Sequence, residues 1–285
     1  MSGDPRFLVV DGYKREARDE LAAGGAAVAG DLYAAMLRRY APDATVDCVY
    51  PSDADSKLPA GAALAGYDGI AWTGCSLTVY DDDPLVRRQI EFCRAAFEAG
   101  VPSFGSCWAL QIAVVAAGGL CRANPRGREM GFARKIRLTP AGRAHPMYTG
   151  KADVFDAFIS HVDEVTHLPG TAVLLASNPF TQVQAATVTH GKGTFWSVQY
   201  HPEYDLHEMA RLIYCRRFKL RDLGFFVDEA QALAYVDQIE TLHRDPSRYD
   251  IAWALGIDDD VMRPEIRQRE VANWIEQQVI PAMRR

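Results

Sequence analysis

Residues 101–119 read VPSFGSCWALQIAVVAAGG, and the fold turns on how they are parsed. An apolar run of strand length ends at Phe104-Gly105-Ser106, and a second apolar run, able to be helical, extends from there to Gly118-Gly119. Strand, sharp turn and helix would leave Cys107 at the apex, with the small residues Gly105 and Ala109 letting the backbone pack tightly. A helix N-terminus presents free N–H groups and a positive partial charge, which favour a thiolate over a thiol. The competing parse is a cysteine that merely fills a core, and a small-x-Cys-x-small pattern does not by itself separate the two.

Upstream of this stretch, "RFLVV" (6–10) and "YDGIAW" (67–72) have strand length. Between them and the turn lies "PLVRRQIEFCRAAFEAG", where Val86, Ile90, Cys93 and Phe97 recur at helical spacing and Gly100 supplies the stop. Cys93 is thereby read as core. "DLYAAMLRRY" (31–40) has the same helical pattern. Strands alternating with helices imply a doubly wound, mostly parallel sheet flanked by helices, an α/β class. From residue 130 the pattern changes to the strand-like pieces "ARKIRLT", "VFDAFISH", "AVLLASN", "TQVQAATV" and "GTFWSVQYHPE", separated by Pro, Gly and Asn signals. A helix is expected from Asp205 to about Leu220, and only helical patterns follow. Among them, "EVANWIEQQVIPAM" sets Val271, Trp274, Ile275 and Val279 on one face. The expected organisation is an α/β domain over residues 1–220 with a C-terminal helical extension over 221–285.

Composition narrows the classes of partner. Of 285 residues, 48% are hydrophobic and 24% charged, ordinary for a globular protein with a sizeable core. A net charge of −6 without a basic stripe argues against nucleic acid. No apolar run approaches the roughly 20 residues that span a bilayer. The opening "MSGDPRFLVVDGY" carries no export pattern, and the six cysteines are scattered without paired spacing, as expected of reduced thiols in a cytoplasm.

Two further segments bear on Cys107. In "SVQYHPEYD", His201 and Glu203 flank Pro202, whose fixed φ favours an extended backbone that points residues i and i+2 to one side. Glu203 would then orient the imidazole, the base-plus-orienter pairing that a nucleophile needs. The same pair can be a surface turn or two metal ligands, but no Cys/His cluster of metal spacing accompanies it. In "AWTGCSLTVYDDD" a small-residue turn after a strand offers backbone N–H groups to a developing oxyanion.

Taken in order, these segments resemble the class I, triad-type glutamine amidotransferases over roughly residues 5–215, and among them the glutaminase domains of GMP synthases and the stand-alone γ-glutamyl hydrolases. The resemblance implies their flavodoxin-like sheet, with Cys107 as nucleophile, His201 as general base and then acid, and Glu203 as the orienting carboxylate. It implies an oxyanion hole from the backbone N–H groups of Cys75 and Trp108. It also implies substrate contacts at Gly74, Gln111, Ser160 and His161, the last two largely through backbone atoms. Where the family usually has Gly-Gly-Pro in the oxyanion turn, this chain has Gly74-Cys75-Ser76, and the last position of its Gly-x-Cys-x-Gly elbow is Ala109.

The implied reaction is hydrolysis of a γ-glutamyl amide through a γ-glutamyl thioester, with no metal or organic cofactor required. The amine acceptor stays open. Residues 221–285 have no glycine-rich phosphate loop and are too few for a synthase. The chain is therefore either a stand-alone hydrolase, favoured by the altered turn and the extension, or a glutaminase subunit docking on a separate synthase. A catalytically silent binding protein of the same fold is the third alternative. The apolar stripe of the extension must cover the α/β domain, a synthase partner or a second copy in a homo-oligomer.

Overall fold

Strands buried on both faces have no face to show water and form the centre of the sheet. In the computed structural model, which describes residues 4–283, these are β1 (Arg6–Val10), β3 (Gly69–Trp72) and β4 (Ser103–Ser106), with β2 (Thr45–Val49) at the edge. Residues 1–3 and 284–285 of the two expected segments lie outside the described residues. The chain continues through β5 (Leu120–Ala123), β6 (Glu129–Leu138), β7 (Val154–His161), β8 (Asp163–His167), β9 (Ala172–Ser177), β10 (Ala185–His190) and β11 (Gly193–Val198). Nine of these strands make one sheet in the order β2-β1-β3-β4-β11-β10-β9-β6-β7. Its first five strands are parallel to their neighbours and its last four join antiparallel. β5 and β8 form a separate two-stranded ribbon.

The helices are α1 (Arg15–Ala23), α2 (Ala29–Tyr40), α3 (Pro84–Ala99), α4 (Trp108–Ala116), α5 (Pro140–Ala144), α6 (Leu206–Asp222), α7 (Glu229–Arg244) and α8 (Tyr249–Leu255), with short helical turns over 259–283. Their ends follow local chemistry. The Asp83 carboxylate accepts the Leu85 N–H at the start of α3, and Gly100 closes that helix at φ 73°. Asp205 caps α6 through the Glu208 N–H.

Alternation along the central strands splits the core in two. Leu8, Val10, Ile70 and Trp72 pack on one face with Cys93 of α3 and with α4. Phe7, Ala71 and Phe104 pack on the other with Tyr33 and Leu37 of α2. The C-terminal run closes this second face: Val271, Trp274, Ile275 and Val279 are all buried in the same cluster, so the stripe is covered within the chain itself. Trp274 sits between Phe7 and Phe104, with ring centroids 5.7 and 5.9 Å away. β3 makes room for the indole with Gly69, where a Cβ would come within 2.8 Å of the ring. Residues Ile275–Val279 form one wider helical turn just before Pro281, which lacks the N–H and whose ring would crowd a regular helix. A third cluster joins α6, α7 and α8 to Phe132 and Phe158.

Strands β2, β5 and β8 go beyond the sequence expectations. All three are short, and each lies at an edge or outside the main sheet, so no continuous apolar run announces them.

Candidate active site

The carboxyl ends of β3, β4 and β11 lie side by side, and each delivers one of the three motifs. Trp72 is in register with Gly105, and Val198 with Ser106. The residues just beyond them, Gly74-Cys75, Cys107 and His201-Glu203, therefore meet at the crevice where ligands bind in open α/β sheets. Two backbone bonds pin the geometry: the Cys107 N–H donates to the Val198 carbonyl at 2.7 Å, and the His201 N–H to the Phe158 carbonyl at 2.8 Å.

Cys107 occupies φ 54°, ψ −102°, a conformation that costs a non-glycine residue about 1–3 kcal/mol. The turn is tight enough to impose it. A Cβ on Gly105 would fall 2.4 Å from the Ala109 methyl and 2.6 Å from the Trp72 carbonyl oxygen, so Gly105 can carry no side chain and Ala109 no larger one. The thiol is nearly buried, with Sγ 3.7 Å from the Ser160 carbonyl oxygen.

His201 Nδ1 donates to Glu203 Oε1 at 2.7 Å. The backbone here is a turn, closed by the Tyr204 N–H on the His201 carbonyl at 3.4 Å, and not the extended segment expected from Pro202. The turn still brings i and i+2 together, because the buried Glu203 is steered from its other side. Ser106 Oγ donates to Glu203 Oε1 at 2.9 Å and itself accepts from the Tyr33 hydroxyl at 2.7 Å. Tyr204 stacks flat on the imidazole, with centroids 4.0 Å apart and planes 3° from parallel. Burial alone would lower the His201 pKa, but the Glu203 charge, contact with Cys107 and the Glu203 hydrogen bond together raise it to about 10. His201 Nε2 is buried without a hydrogen-bond partner among the described residues. Gly74 passes directly behind these groups, and a Cβ there would lie 2.9 Å from the imidazole.

At the start of α4 the Leu110 and Gln111 N–H groups turn back to the Cys107 carbonyl, whereas the Trp108 N–H has no such partner among the described residues. The Trp108 ring is anchored by its indole N–H on Gln89 Oε1 at 2.9 Å. Cys75 lines the opposite wall with its Sγ accepting from the Leu77 N–H, and burial pushes its thiol pKa well up, so it is no second nucleophile.

These groups open on a cleft of about 460 Å³. Gln111 and the chain from Ser160 to Asp163 line it, and Gln111 Nε2 donates to the Asp163 carbonyl at 3.3 Å. The His161 ring is held in the wall by the Asp163 carbonyl at 2.8 Å and Glu129 Oε2 at 3.0 Å. Asn178 and Gln184 also donate to Glu129. Six of the nine residues singled out from sequence thus line the cleft themselves; Gly74 and Glu203 support it from behind, and Trp108 contributes through its backbone position.

Sequence reasoning missed Ser106, Tyr33, Tyr204, Arg128 and Arg216. Ser106 and Tyr204 adjoin the two motifs and were open to detection by position, whereas nothing local marks the other three. Among the described residues no group of three or more His, Cys, Asp or Glu side chains can hold a metal, and no helix is long and apolar enough to cross a membrane.

Comparison with known proteins agrees with this architecture. The pattern of the family described as glutamine amidotransferase class-I matches residues 30–219. A γ-glutamyl-L-1-hydroxyisopropylamide hydrolase of a Pseudomonas species is 33% identical over 98% of this chain and 95% of its own. A GMP synthase (glutamine-hydrolysing) of Bordetella avium is 27% identical over 59% of this chain, which spans only 31% of the synthase. The crystal structure of a glutamine amidotransferase from Thermotoga maritima superposes with a TM-score of 0.67 at 15% identity, covering 97% of this chain and 99% of that one.

Proposed function

Because the chain belongs to the class-I glutamine amidotransferase family, we propose that it is a stand-alone hydrolase that cleaves a γ-glutamyl amide through a thioester on Cys107. One observation carries the choice of hydrolase over ammonia-donating subunit. The likeness to the hydroxyisopropylamide hydrolase runs end to end, through the C-terminal helices, whereas the likeness to the GMP synthase stops at 59% of this chain and leaves the rest of the synthase without counterpart.

The chemistry follows from the site. Cys107 attacks the γ-carbonyl as a thiolate whose charge is balanced by the His201 imidazolium. The developing oxyanion is held by the N–H groups of Cys75 and Trp108. The C–N bond then breaks, with His201 Nε2 giving its proton to the departing amine. Now neutral, His201 takes a proton from water as the water attacks the thioester, and glutamate leaves as the Cys107 sulfur departs with its electron pair. A site that starts with a protonated imidazole needs that proton for the leaving amine, which suits a His201 pKa of about 10.

Glutamate release from glutamine and from a series of γ-glutamyl alkylamides, measured with the purified protein alone, tests this. Turnover of the alkylamides without any added protein is expected. Release from glutamine only, and only in the presence of a synthase, would refute it in favour of the subunit.

A further inference from the structure

The cleft holds more positive charge than the proposed reaction uses. Arg216 of α6 and Arg128, next to β6, converge on one hydroxyl: Arg216 Nη1 donates to Ser160 Oγ at 2.8 Å and Arg128 Nη1 at 3.5 Å. Lys219, one turn beyond Arg216, stands on the same wall. Elsewhere on α6 the cations are paired: Arg211 with Glu240, Arg217 with Glu229 and Arg221 with Asp222. Among the described residues, neither Arg128, Arg216 nor Lys219 has a carboxylate partner. Arg128 Nε is also buried without any hydrogen-bond partner among the described residues. Asp163, the acidic residue lining the cleft, accepts from the Tyr80 hydroxyl at 2.8 Å.

Two half-buried guanidinium groups sharing one neutral acceptor repel each other. Burial and then Arg216 hold the Arg128 pKa below its ordinary value. An anion entering the crevice would complete the pair, and a planar fork suits a carboxylate. The position says which carboxylate. Arg216 stands beside Tyr13 and Tyr204, and Tyr204 is stacked on His201, the group that protonates the departing amine. The cations therefore share the cleft with His201 and reach it through Tyr204, within range of a group carried on the departing amine.

We infer that Arg128, Arg216 and Lys219 bind a carboxylate on the amine portion of the substrate, so that the chain acts on γ-glutamyl conjugates of amino acids. This rests on the γ-glutamyl hydrolase activity proposed above. It separates the chain from the Pseudomonas relative, whose named substrate carries a hydroxyl on its amine portion.

A matched pair of substrates decides it: γ-glutamyl-L-alanine and γ-glutamyl-L-1-hydroxyisopropylamide, which differ only in a carboxylate against a hydroxymethyl group. Wild-type protein should favour the carboxylate by about tenfold or more in kcat/KM, a factor equivalent to ~1.4 kcal/mol. In Arg216→Gln and in Arg128→Gln the ratio should fall toward one, with most of the change in KM. Arg216→Lys should restore part of it, and Arg221→Gln, on the outer part of the helix, should leave it unchanged. A wild-type ratio near one would overturn the proposal. So would an equal rise of KM for both substrates in the arginine variants, because the pair would then read the α-carboxylate that both share. Calorimetric binding of the two conjugates to the Cys107→Ala protein measures the same preference without turnover. Absence of hydrolysis would thus refute the activity, while the binding ratio would still decide the carboxylate site.

Discussion

Replacing Trp274 tests whether the C-terminal run is part of the sheet's own core. The indole is fully buried between Phe7 and Phe104, and its Nε1 has no hydrogen-bond partner among the described residues, so what it contributes is packing. A buried tryptophan removes about 150–250 Å² from water, worth roughly 4–6 kcal/mol at ~25 cal/mol per Å². Alanine retains a small part of that, and the expected cost of Trp274→Ala is about 3–5 kcal/mol. For a chain of this size the melting temperature should fall by on the order of 10 °C. Trp274→Phe keeps the aromatic contacts and removes an unsatisfied N–H, so it should cost about half as much. Gly69→Ala attacks the same contact from the other side, because its Cβ would meet the indole at 2.8 Å and Phe7 at 3.1 Å. That overpacking should cost about 1–3 kcal/mol. The smaller ring of Trp274→Phe relieves the clash, so the double variant should lose at least ~0.5 kcal/mol less than the sum of the singles. Thermal and urea unfolding of the full-length protein give all three values. A Trp274→Ala protein melting within about 2 °C of wild type, or strict additivity in the cycle, would refute the placement of this run on the sheet.

The remaining expectations concern the elbow and the triad. Cys107→Gly relieves a left-handed backbone conformation and should raise stability by about 1 kcal/mol in urea unfolding while abolishing glutamate release. A residual rate above a tenth of wild type would remove Cys107 as nucleophile. His201 is raised above its ordinary pKa of 6.5 in the fold, so its contribution to stability is fully present below pH ~6.5 and lost as pH rises toward about 10. In Glu203→Gln the largest effect opposing burial is gone and only the Cys107 contact still favours the charged imidazole. The imidazole titration followed by NMR should then move down from about 10, and the alkaline limb of kcat/KM should move to lower pH with it; an unmoved titration would show that another group holds the charge. Ser106→Ala leaves the Tyr33 hydroxyl and Glu203 without a shared partner, at a cost of about 1–3 kcal/mol. It should lower kcat more than KM, and a pure loss of stability with kcat intact would make Ser106 structural only.

Much of the site was legible because its chemistry is local in sequence. The elbow of Gly105, Cys107 and Ala109 is specified by small residues at fixed spacing, and His201-Pro202-Glu203 carries its own orienter two residues away. The parallel core strands were equally plain, since burial on both faces demands runs such as RFLVV with no polar alternation. The stripe of Val271, Trp274, Ile275 and Val279 likewise declared that it needed cover. What covers it was open to three answers, because a helical stripe states its own apolarity and not its partner. Only the packing showed that the space left by Gly69, between Phe7 and Phe104, takes the indole. The same limit hid the support of the triad and the charge of the cleft. Tyr33, Ser106 and Glu203 become neighbours because β4 and β11 run parallel in register, and Arg128 meets Arg216 because β6 and α6 converge on Ser160. Residues about a hundred positions apart leave no periodicity in a single chain. Local spacing determined which groups are candidates to react, and the tertiary fold alone decided which charges surround them.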